Sequence, residues 1–353
     1  MISATTMDTP ILDTPPTLQD WSDLYTAAME FRQLEPWKWM YDESVFGVKD
    51  PVSRQIGYCT IMGNLGECYA LAVYRGTAGL EFLESIQDGD VAIGDDAVLF
   101  GQDCLMASFA SRQSQAKEDL AVIKALGLKF KGSSGWPQFR SYQPGYFPWF
   151  LTQAEAQFLT VALQQAKDVA LRFAENPELT TPTDPETDFV RMSVGGDHGM
   201  AWMDAWLAPV AEEKSTAGSP PVNEVRLETI RQAGYPQRGE WELDFFMLPA
   251  AVRDKGQRPY FPQALLCMDR ESSLMLTAHL ATPTQYIADF REHICHIIEQ
   301  AKEIPQIVYV CRSEAKALLE PIAESLQIKL KATRVLPLVE DGKKMLQRMP
   351  GRL

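Results

Sequence analysis

The chain has 353 residues, which is enough for two domains of ordinary size. Apolar residues make up 46% of it and charged residues 23%, a composition that excludes a wholly disordered chain. No apolar run approaches the ~20 residues that a membrane helix needs, and the acidic, proline-rich start argues against a signal peptide. We therefore expect a cytoplasmic protein that does not contact a membrane.

The first half of the chain predicts an α+β domain with an antiparallel sheet. Residues 1–17 are rich in threonine, proline and aspartate and predict a disordered tail, after which apolar residues at helical spacing predict a helix over 18–34. Three apolar runs bounded by glycines predict strands over 56–63, 68–76 and 96–110. A short helix is predicted over 116–126, and a loop rich in aromatic residues, proline and glycine over 132–150.

The clearest local signal in this half is a capping box at the start of a helix. Thr152 and Glu155 have the spacing at which each side chain caps the backbone N–H group of the other, and an apolar stripe continues after them. Two strand-like runs follow, and the segment after them has the composition of a linker. We therefore predict an acidic domain over 18–211, a linker with a bridging helix over 212–238, and a second domain over 239–353.

The second domain predicts a mixed sheet. Residues 240–248 alternate apolar and acidic side chains, as a half-buried strand does, and two further strands flank the turn at 269–273. A helix capped by Thr282 comes next in the prediction. The complete order, β-β-β-α-β-α-β-α, predicts antiparallel strands followed by right-handed parallel crossovers with helices packed on the sheet. The expected fold class of the whole chain is α+β.

The two halves of the chain differ in charge, and this difference bears on their partners. Residues 1–224 hold 15 lysines and arginines against 31 acids, whereas residues 225–353 hold 18 against 16. Binding to nucleic acid depends on neutralising phosphates with basic side chains. We therefore do not expect the acidic half to bind nucleic acid, and the charge leaves such binding open for the C-terminal half.

The cysteines and histidines do not predict a metal site. Six cysteines occur without a CxxC pair, which is typical of free thiols in a reducing compartment. His293 and His296 lie three residues apart on a predicted helix, but Cys295 points roughly 160° away from His293, so a third ligand is missing. His198 lies in a turn whose glycines explain it equally well. We expect no metal and no cofactor.

Five short motifs stand out along both halves of the chain. They are Pro36-Trp-Lys-Trp-Met-Tyr-Asp42, Phe46-Gly-Val-Lys-Asp-Pro51, Gly57-Tyr-Cys-Thr-Ile-Met-Gly63, Trp136-Pro-Gln-Phe-Arg140 and Arg258-Pro-Tyr-Phe-Pro262. They resemble motifs of a family of two-domain bacterial proteins of unknown function, and the resemblance runs through most of the chain from about Trp21. It implies a two-part layout and supplies neither an activity nor site residues.

The strand order of the second domain is similar to that of the ribonuclease H-like fold, which nucleases, integrases and sugar kinases share. A nuclease of this fold needs three or four carboxylates around two divalent ions. Asp244, midway along the first strand, has the place of the first carboxylate, and Asp341 on the last helix is a candidate for the fourth. Asp289 on the first helix points away from the sheet, and Arg312 follows the fourth strand where an acid is required. A divalent metal is therefore expected only under a degenerate enzyme hypothesis.

The loop over 132–150 is the predicted ligand or partner surface. Tryptophan, tyrosine and arginine dominate binding hot spots, and long loops often carry binding sites. The alternative interpretation is an ordered loop whose rings pack against the helix that begins after Thr152. The candidate surface residues are Trp136, Phe139, Arg140, Tyr142, Tyr146 and Trp149.

These observations leave three functions open. The leading one is a non-catalytic binding or regulatory module that acts through contacts with an unidentified protein partner. The second is a metal-dependent nucleic-acid-processing enzyme of ribonuclease H-like type, and the third is a small-molecule binder in a cleft between the domains. Clustering of Asp244, Asp289 and Asp341 around one point would favour the enzyme, and their dispersal would favour the binding module.

Overall fold

The structure is a computed structural model that describes residues 14–91, 98, 101–196, 199–210, 222–253 and 258–347. It divides into two compact units, one formed by 1–144 with 148–212 and the other by 145–147 with 213–353. The predicted disordered tail falls mostly outside the described residues, but its last residue, Thr17, caps the first helix and so belongs to the folded unit. The predicted linker over 212–238 is described only from residue 222. The predicted domain limits stay predictions.

The N-terminal unit is a seven-stranded sheet with helices on both faces. The described helices are α1 (Leu18–Leu34), α2 (Gly76–Gln87), α3 (Lys117–Ala125) and α4 (Gln153–Glu175). The strands are β1 (Phe46–Lys49), β2 (Ile56–Met62), β3 (Tyr69–Arg75), β4 (Cys104–Ala110), β5 (Trp136–Tyr142), β6 (Asp188–Gly196) and β7 (Gly199–Leu207). The predicted capping box between Thr152 and Glu155 is present at the start of α4.

The strands of this sheet follow the order β5-β4-β3-β2-β1-β6-β7. Neighbours pair antiparallel except β1 and β6, which pair parallel at Gly47↔Val190 and Val48↔Arg191. The sheet predicted to be antiparallel is therefore mixed. A parallel pair needs a long crossover connection, and the stretch that contains β2 to β5 and α4 supplies it.

Two apolar layers hold this sheet between its helices. Helices α1 and α4 pack on one face, where Phe31 and Leu159 are fully buried, and α2 packs on the other through Leu80. At Gly57 the approach of α4 to β2 leaves no room for a side chain, since a Cβ there would lie 2.7 Å from the ring of Phe158. The core of the first unit thus forms on both faces of one sheet.

The C-terminal unit is a five-stranded sheet with helices on both faces. The described helices are α5 (Glu224–Gln232), α6 (Tyr286–Ala301), α7 (Ser313–Leu326) and α8 (Pro337–Gln347). The strands are β8 (Glu240–Met247), β9 (Gln263–Asp269), β10 (Met275–Ala281), β11 (Ile307–Val310) and β12 (Lys329–Ala332).

The strand order of the second sheet, β10-β9-β8-β11-β12, confirms the predicted ribonuclease H-like order. Strands β8, β9 and β10 pair antiparallel, whereas β11 pairs parallel with both β8 and β12. Helices α5, α6 and α7 cover one face and α8 covers the other. Strand β8, the first of the unit, therefore lies at the centre of the sheet, with the antiparallel strand β9 on one side and the parallel strand β11 on the other.

The prediction from sequence differs from the structure at several elements, among them β1 (Phe46–Lys49), which was not predicted. Helix α2 was not predicted, because it starts at Gly76 directly after a strand and has no capping side chain. Strand β5 lies inside the predicted loop over 132–150, since its alternating burial is hidden among aromatic residues and proline. Helix α6 begins at Tyr286 with Gln285 as its N-cap, so Thr282 is not the cap.

Two expectations that concern the whole chain can be compared with the structure. All six cysteines are free thiols, four of them buried. None of the helices in the described ranges is both long and apolar enough to cross a membrane.

Candidate functional site

Strand β8 of the C-terminal sheet has an apolar side and an acidic side. Trp241, Leu243 and Phe245 belong to the core that α6 and α7 cover. Because side chains alternate along a strand, Glu242 and Asp244 point to the opposite face, where both contact α8. These two residues, which we term the acidic face of β8, are only 2% and 1% exposed. Carboxylates buried to this extent need partners, because an isolated buried charge is strongly unfavourable.

Asp244 has basic partners on both of its carboxylate oxygens. Oδ1 accepts hydrogen bonds from Arg312 Nε at 3.0 Å and Nη2 at 2.9 Å, and Oδ2 accepts one from Lys343 Nζ at 2.9 Å. Burial acts to lower the pKa of Lys343, but the bonds to Asp244 and Glu340 outweigh it and hold that pKa above its usual value. The carboxylate is therefore neutralised by two cations, one after β11 and one on α8.

Glu242 fixes the start of α8. Its Oε2 accepts hydrogen bonds from the backbone N–H groups of Leu338 at 2.9 Å and Val339 at 3.3 Å, and its Oε1 lies 3.5 Å from Arg270 Nε. The first N–H groups of a helix have no partner within the helix, and a carboxylate placed there also complements the helix dipole. The acidic face thus anchors α8 to the sheet through both of its carboxylates.

The other two candidate carboxylates lie elsewhere. Asp341 is exposed on α8 and pairs at 3.3 Å with Lys344 on the same helix. Asp289 is exposed on α6, which packs on the sheet face opposite to Asp244. In the part of the chain that the structure describes, no three histidine, cysteine, aspartate or glutamate side chains are placed to hold a metal ion. The structure does not bring Asp244, Asp289 and Asp341 together.

Arg312 occupies the place where the nuclease hypothesis requires its third acid. It follows β11, the fourth strand of the unit, and its guanidinium reaches back to Asp244 rather than leaving that carboxylate open. Cys311 Sγ lies 3.8 Å from Asp244 Oδ2, and burial followed by the charge of Asp244 raises the pKa of this thiol. The thiol of Cys311 is therefore not activated as a thiolate nucleophile.

The predicted aromatic surface is largely strand β5. Phe139 is buried in the core of the N-terminal unit, and Trp136 packs edge-on against Phe130. Arg140 forms a bidentate pair with Asp119 at 3.0 and 2.7 Å, so its guanidinium is committed to a structural partner. The loop prediction is wrong here, because the alternation of buried and half-buried residues marks a strand.

The remaining aromatic candidates are Tyr142, Tyr146 and Trp149. Burial, and then the charge of Cys104, raise the pKa of the Tyr142 hydroxyl to about 12. Trp149 is half-buried and pairs through its backbone with Ser141 of β5. Tyr146 belongs to the other unit, where it bridges to Tyr260. The use of these residues as a partner surface stays a prediction, and their contacts are those of packing.

Three histidines meet at the opposite side of the C-terminal unit. His279 on β10 stacks on His293 of α6 with ring centroids 4.0 Å apart, and His296 lies 5.8 Å from His293. These residues line an open cleft of about 420 Å³ together with Arg226 and Asp289. Burial and the two neighbouring histidines lower the pKa of His293 to about 4. The sequence signals the pair on the helix, but His279 is 14 positions away and only the strand pairing of β10 brings it in.

Comparisons with known proteins cover both halves of the chain. A family model described as "Domain of unknown function (DUF7309)" matches residues 21–191, and one described as "Domain of unknown function (DUF6930)" matches residues 226–347. No curated protein matches the chain. Among solved structures, the crystal structure of the Mos1 strand transfer complex is similar at 12% sequence identity, over 77% of this chain and 74% of that chain, with a TM-score of 0.22. The chain is thus similar, half by half, to two families whose function is unknown.

Proposed function

We propose that this protein is a non-catalytic binding or regulatory protein that acts through protein contacts. The observation that carries this proposal is the state of Asp244, whose two oxygens are bound to Arg312 and Lys343. A two-metal nuclease needs an open carboxylate at this place to hold its ions. Two cations already placed on the carboxylate repel a divalent ion and compete for the same lone pairs.

The dispersal of the other acids supports the same proposal. Asp289 and Asp341 lie on helices that cover opposite faces of the sheet, and Asp341 is paired within its own helix. A divalent ion held by Asp244 alone would bind weakly, because hard cations require several oxygen ligands. The dispersal is the outcome that the sequence argument assigns to a binding module.

Exposed apolar side chains on the ribbon formed by strands β6 and β7, which we term the β6–β7 ribbon, support the protein-contact part of the proposal. Met203 is 45% exposed on one face of the ribbon and Trp206 is 42% exposed on the other, although both are large apolar side chains in a regular strand. Methionine and the aromatic residues are enriched at protein interfaces relative to the rest of the surface. We place the protein in the cytoplasm, where six free thiols stay reduced.

The nucleic-acid-processing enzyme remains the second candidate, and the order of the C-terminal strands is the observation that favours it. Fold alone does not bring a function with it. The third candidate, a small-molecule binder between the domains, stays a prediction from sequence.

A cleavage assay tests the non-catalytic part of the proposal. The protein is incubated with Mg²⁺ or Mn²⁺ and with single-stranded DNA, duplex DNA and an RNA–DNA hybrid, beside an Asp244→Asn variant. We expect no cleavage by either protein. Cleavage by the natural sequence that is lost in the variant would overturn the proposal and establish the enzyme.

Affinity capture tests the protein-contact part. The natural sequence is compared with Met203→Lys on the ribbon and with Leu65→Lys, which adds the same charge at a residue 87% exposed in a turn. We expect partners held by the natural sequence and by Leu65→Lys to be lost from Met203→Lys. Equal capture by all three proteins would show that the ribbon is not part of the contact surface.

A further inference from the structure

The sheet edges of the two units differ in how they are protected against pairing with another strand. An open edge presents unpaired N–H and C=O groups, and proteins block it with proline, lysine, a bulge or a short strand. Edge strand β5 contains Pro137, and its Ser141 pairs with Trp149. Edge strand β12 has only four residues, of which Lys329 and Lys331 are exposed. Edge strand β10 has an irregular register near its start.

Strand β7 is an edge with none of these protections. It has nine residues without proline or lysine, and its register with β6 is unbroken along its length. No other described strand pairs with its outer side. Its one charged residue, Asp204, does not repel a partner strand, because its carboxylate is bound to Arg191 at 2.6 Å and to Arg172. These two guanidinium groups, Arg172 before Arg191, also lower the pKa of Asp204.

The β6–β7 ribbon also lacks a neighbouring strand along part of its length. Strand β1 pairs with β6 only at Val190 and Arg191, so the ribbon continues beyond β1 from Met192 onward. An isolated two-stranded ribbon is marginal in water. Its exposed face is apolar, since Met203 lies directly opposite Met192 and next to Val194, which is itself exposed. A further strand beside β7 would cover this apolar area, and it would also pair with the N–H and C=O groups of the open edge.

We propose that β7 pairs antiparallel with β7 of a second copy of this chain, about a two-fold axis through Met203. The two seven-stranded sheets then join into one sheet across the dimer. This inference rests on the proposed function, because it names the surface and the partner of a protein contact. A two-fold interface uses the same patch on both copies, so the strand must be complementary to itself.

The register about Met203 meets that requirement. Met203 faces Met203 of the second copy, Ala201 faces Ala205, and Trp202 faces Asp204. Each pair on the exposed face is apolar, and no like charges stand opposite each other. Moving the axis to Asp204 would place Met203 against Ala205, and moving it to Trp202 would place Met203 against Ala201, so the two exposed methionines would no longer cover each other. The sequence of β7 therefore favours one register of self-pairing over its neighbours.

Sedimentation equilibrium across the micromolar range tests the dimer. We expect the natural sequence and the matched control Leu65→Lys to dimerise, and Met203→Lys to associate at least about tenfold more weakly, because it places two lysines face to face. Circular dichroism establishes that the variant keeps its fold. A natural sequence that stays monomeric, or a folded Met203→Lys that dimerises like the natural sequence, would overturn the proposal.

Engineered cysteines test the register. In a background with the exposed Cys68 and Cys311 changed to serine, Met203→Cys places two thiols directly opposite each other, within the Cα separation that a disulfide spans. The control Ala205→Cys places its two thiols roughly 13 Å apart, four residues along the strand. We expect mild oxidation to cross-link Met203→Cys and not Ala205→Cys. Cross-linking of both variants or of neither would overturn the proposed pairing.

The outcomes separate this inference from the function on which it rests. A monomeric natural sequence that still captures another protein through Met203 would overturn self-pairing and keep the protein-contact function. Cleavage of nucleic acid that depends on Asp244 would overturn the function and would leave the measured dimer unaffected.

Discussion

The acidic face of β8 and the outer side of the β6–β7 ribbon differ in how much of their surface is already satisfied. On β8, both carboxylates are buried and each has partners from other elements of its unit. On β7, the carboxylate of Asp204 is satisfied in the same way, but large apolar side chains and a strand edge are left open. A buried charged cluster can thus stabilise the fold of a protein, while an exposed apolar strand is the better candidate for a contact with a partner.

The largest effect is expected at the centre of the acidic face. Asp244→Ala removes the carboxylate and leaves Arg312 and Lys343 without it, and breaking a buried pair costs about 3–5 kcal/mol. Because Arg312 is partly exposed, we expect the free energy of unfolding to fall by about 3 kcal/mol. Urea denaturation measures this loss. The matched control, Asp341→Ala at a side chain 78% exposed, should change it by less than about 0.5 kcal/mol.

A double variant sharpens this result. Adding Lys343→Met to Asp244→Ala removes one of the two cations that Asp244 held, so the double variant should lose less stability than the two single variants together. Equal losses for Asp244→Ala and Asp341→Ala would show that the acidic face is not a structural cluster, and the comparison with the ribbon would fail.

A smaller effect is expected at the other carboxylate of the acidic face. Glu242→Ala leaves the first N–H groups of α8 without their acceptor, and the loss of a helix cap costs about 1 to 2 kcal/mol. Hydrogen exchange should locate the change in α8 rather than in α6 or α7. The control is Glu324→Ala on the exposed face of α7. If both variants exchange alike in α8, Glu242 does not anchor that helix.

The histidine cluster gives a prediction on pH. The pKa of His293 in the folded protein is about 4, below its unfolded value of ~6.5, so the unfolded chain takes up the proton first. The neutral ring makes its full contribution to the free energy of unfolding above pH ~6.5, and this contribution is lost as the pH falls toward 4. Since the ring is partly exposed, we expect a loss of about 1 kcal/mol or less between pH 7 and pH 5.

The measurement is thermal unfolding of the natural sequence and of His293→Gln at both pH values. The natural sequence should lose more stability on acidification than the variant does, and His296→Gln, at the exposed histidine, should behave like the natural sequence. If His293→Gln and the natural sequence lose the same stability on acidification, His293 makes no pH-dependent contribution to stability.

The smallest effect on stability is expected on the ribbon. Met203→Lys should change the free energy of unfolding of the monomer by less than about 0.5 kcal/mol, because the side chain is largely exposed. Urea denaturation at low concentration checks this. A loss as large as that of Asp244→Ala would mean that Met203 packs within the monomer, and the contrast between the two regions would disappear.

Most of the fold could be predicted where local signals agree with the final packing. The capping box at Thr152 and the helix over 18–34 depend on residues close in sequence, and the structure contains both helices. The order of the C-terminal strands follows from short connections and crossover handedness. The parallel pair of β1 and β6 has no such signal, because it depends on where the chain returns after α4.

The candidate site was less accessible from sequence, for a physical reason. Alternation along β8 signals that Asp244 shares a face with Glu242, but the partners of Asp244 come from 68 and 99 residues further along the chain. The aromatic stretch was misread as a loop, because the composition of a strand rich in aromatic side chains resembles that of a recognition loop. Pairing between distant residues is set by topology, which periodicity does not report.

The most direct test of the account is a calorimetric titration of Mn²⁺ into the natural sequence and into Asp244→Asn. Because Arg312 and Lys343 already occupy the carboxylate, we expect no saturable heat from either protein. Saturable Mn²⁺ binding by the natural sequence that disappears in Asp244→Asn would show an open metal site on β8 and would contradict the account.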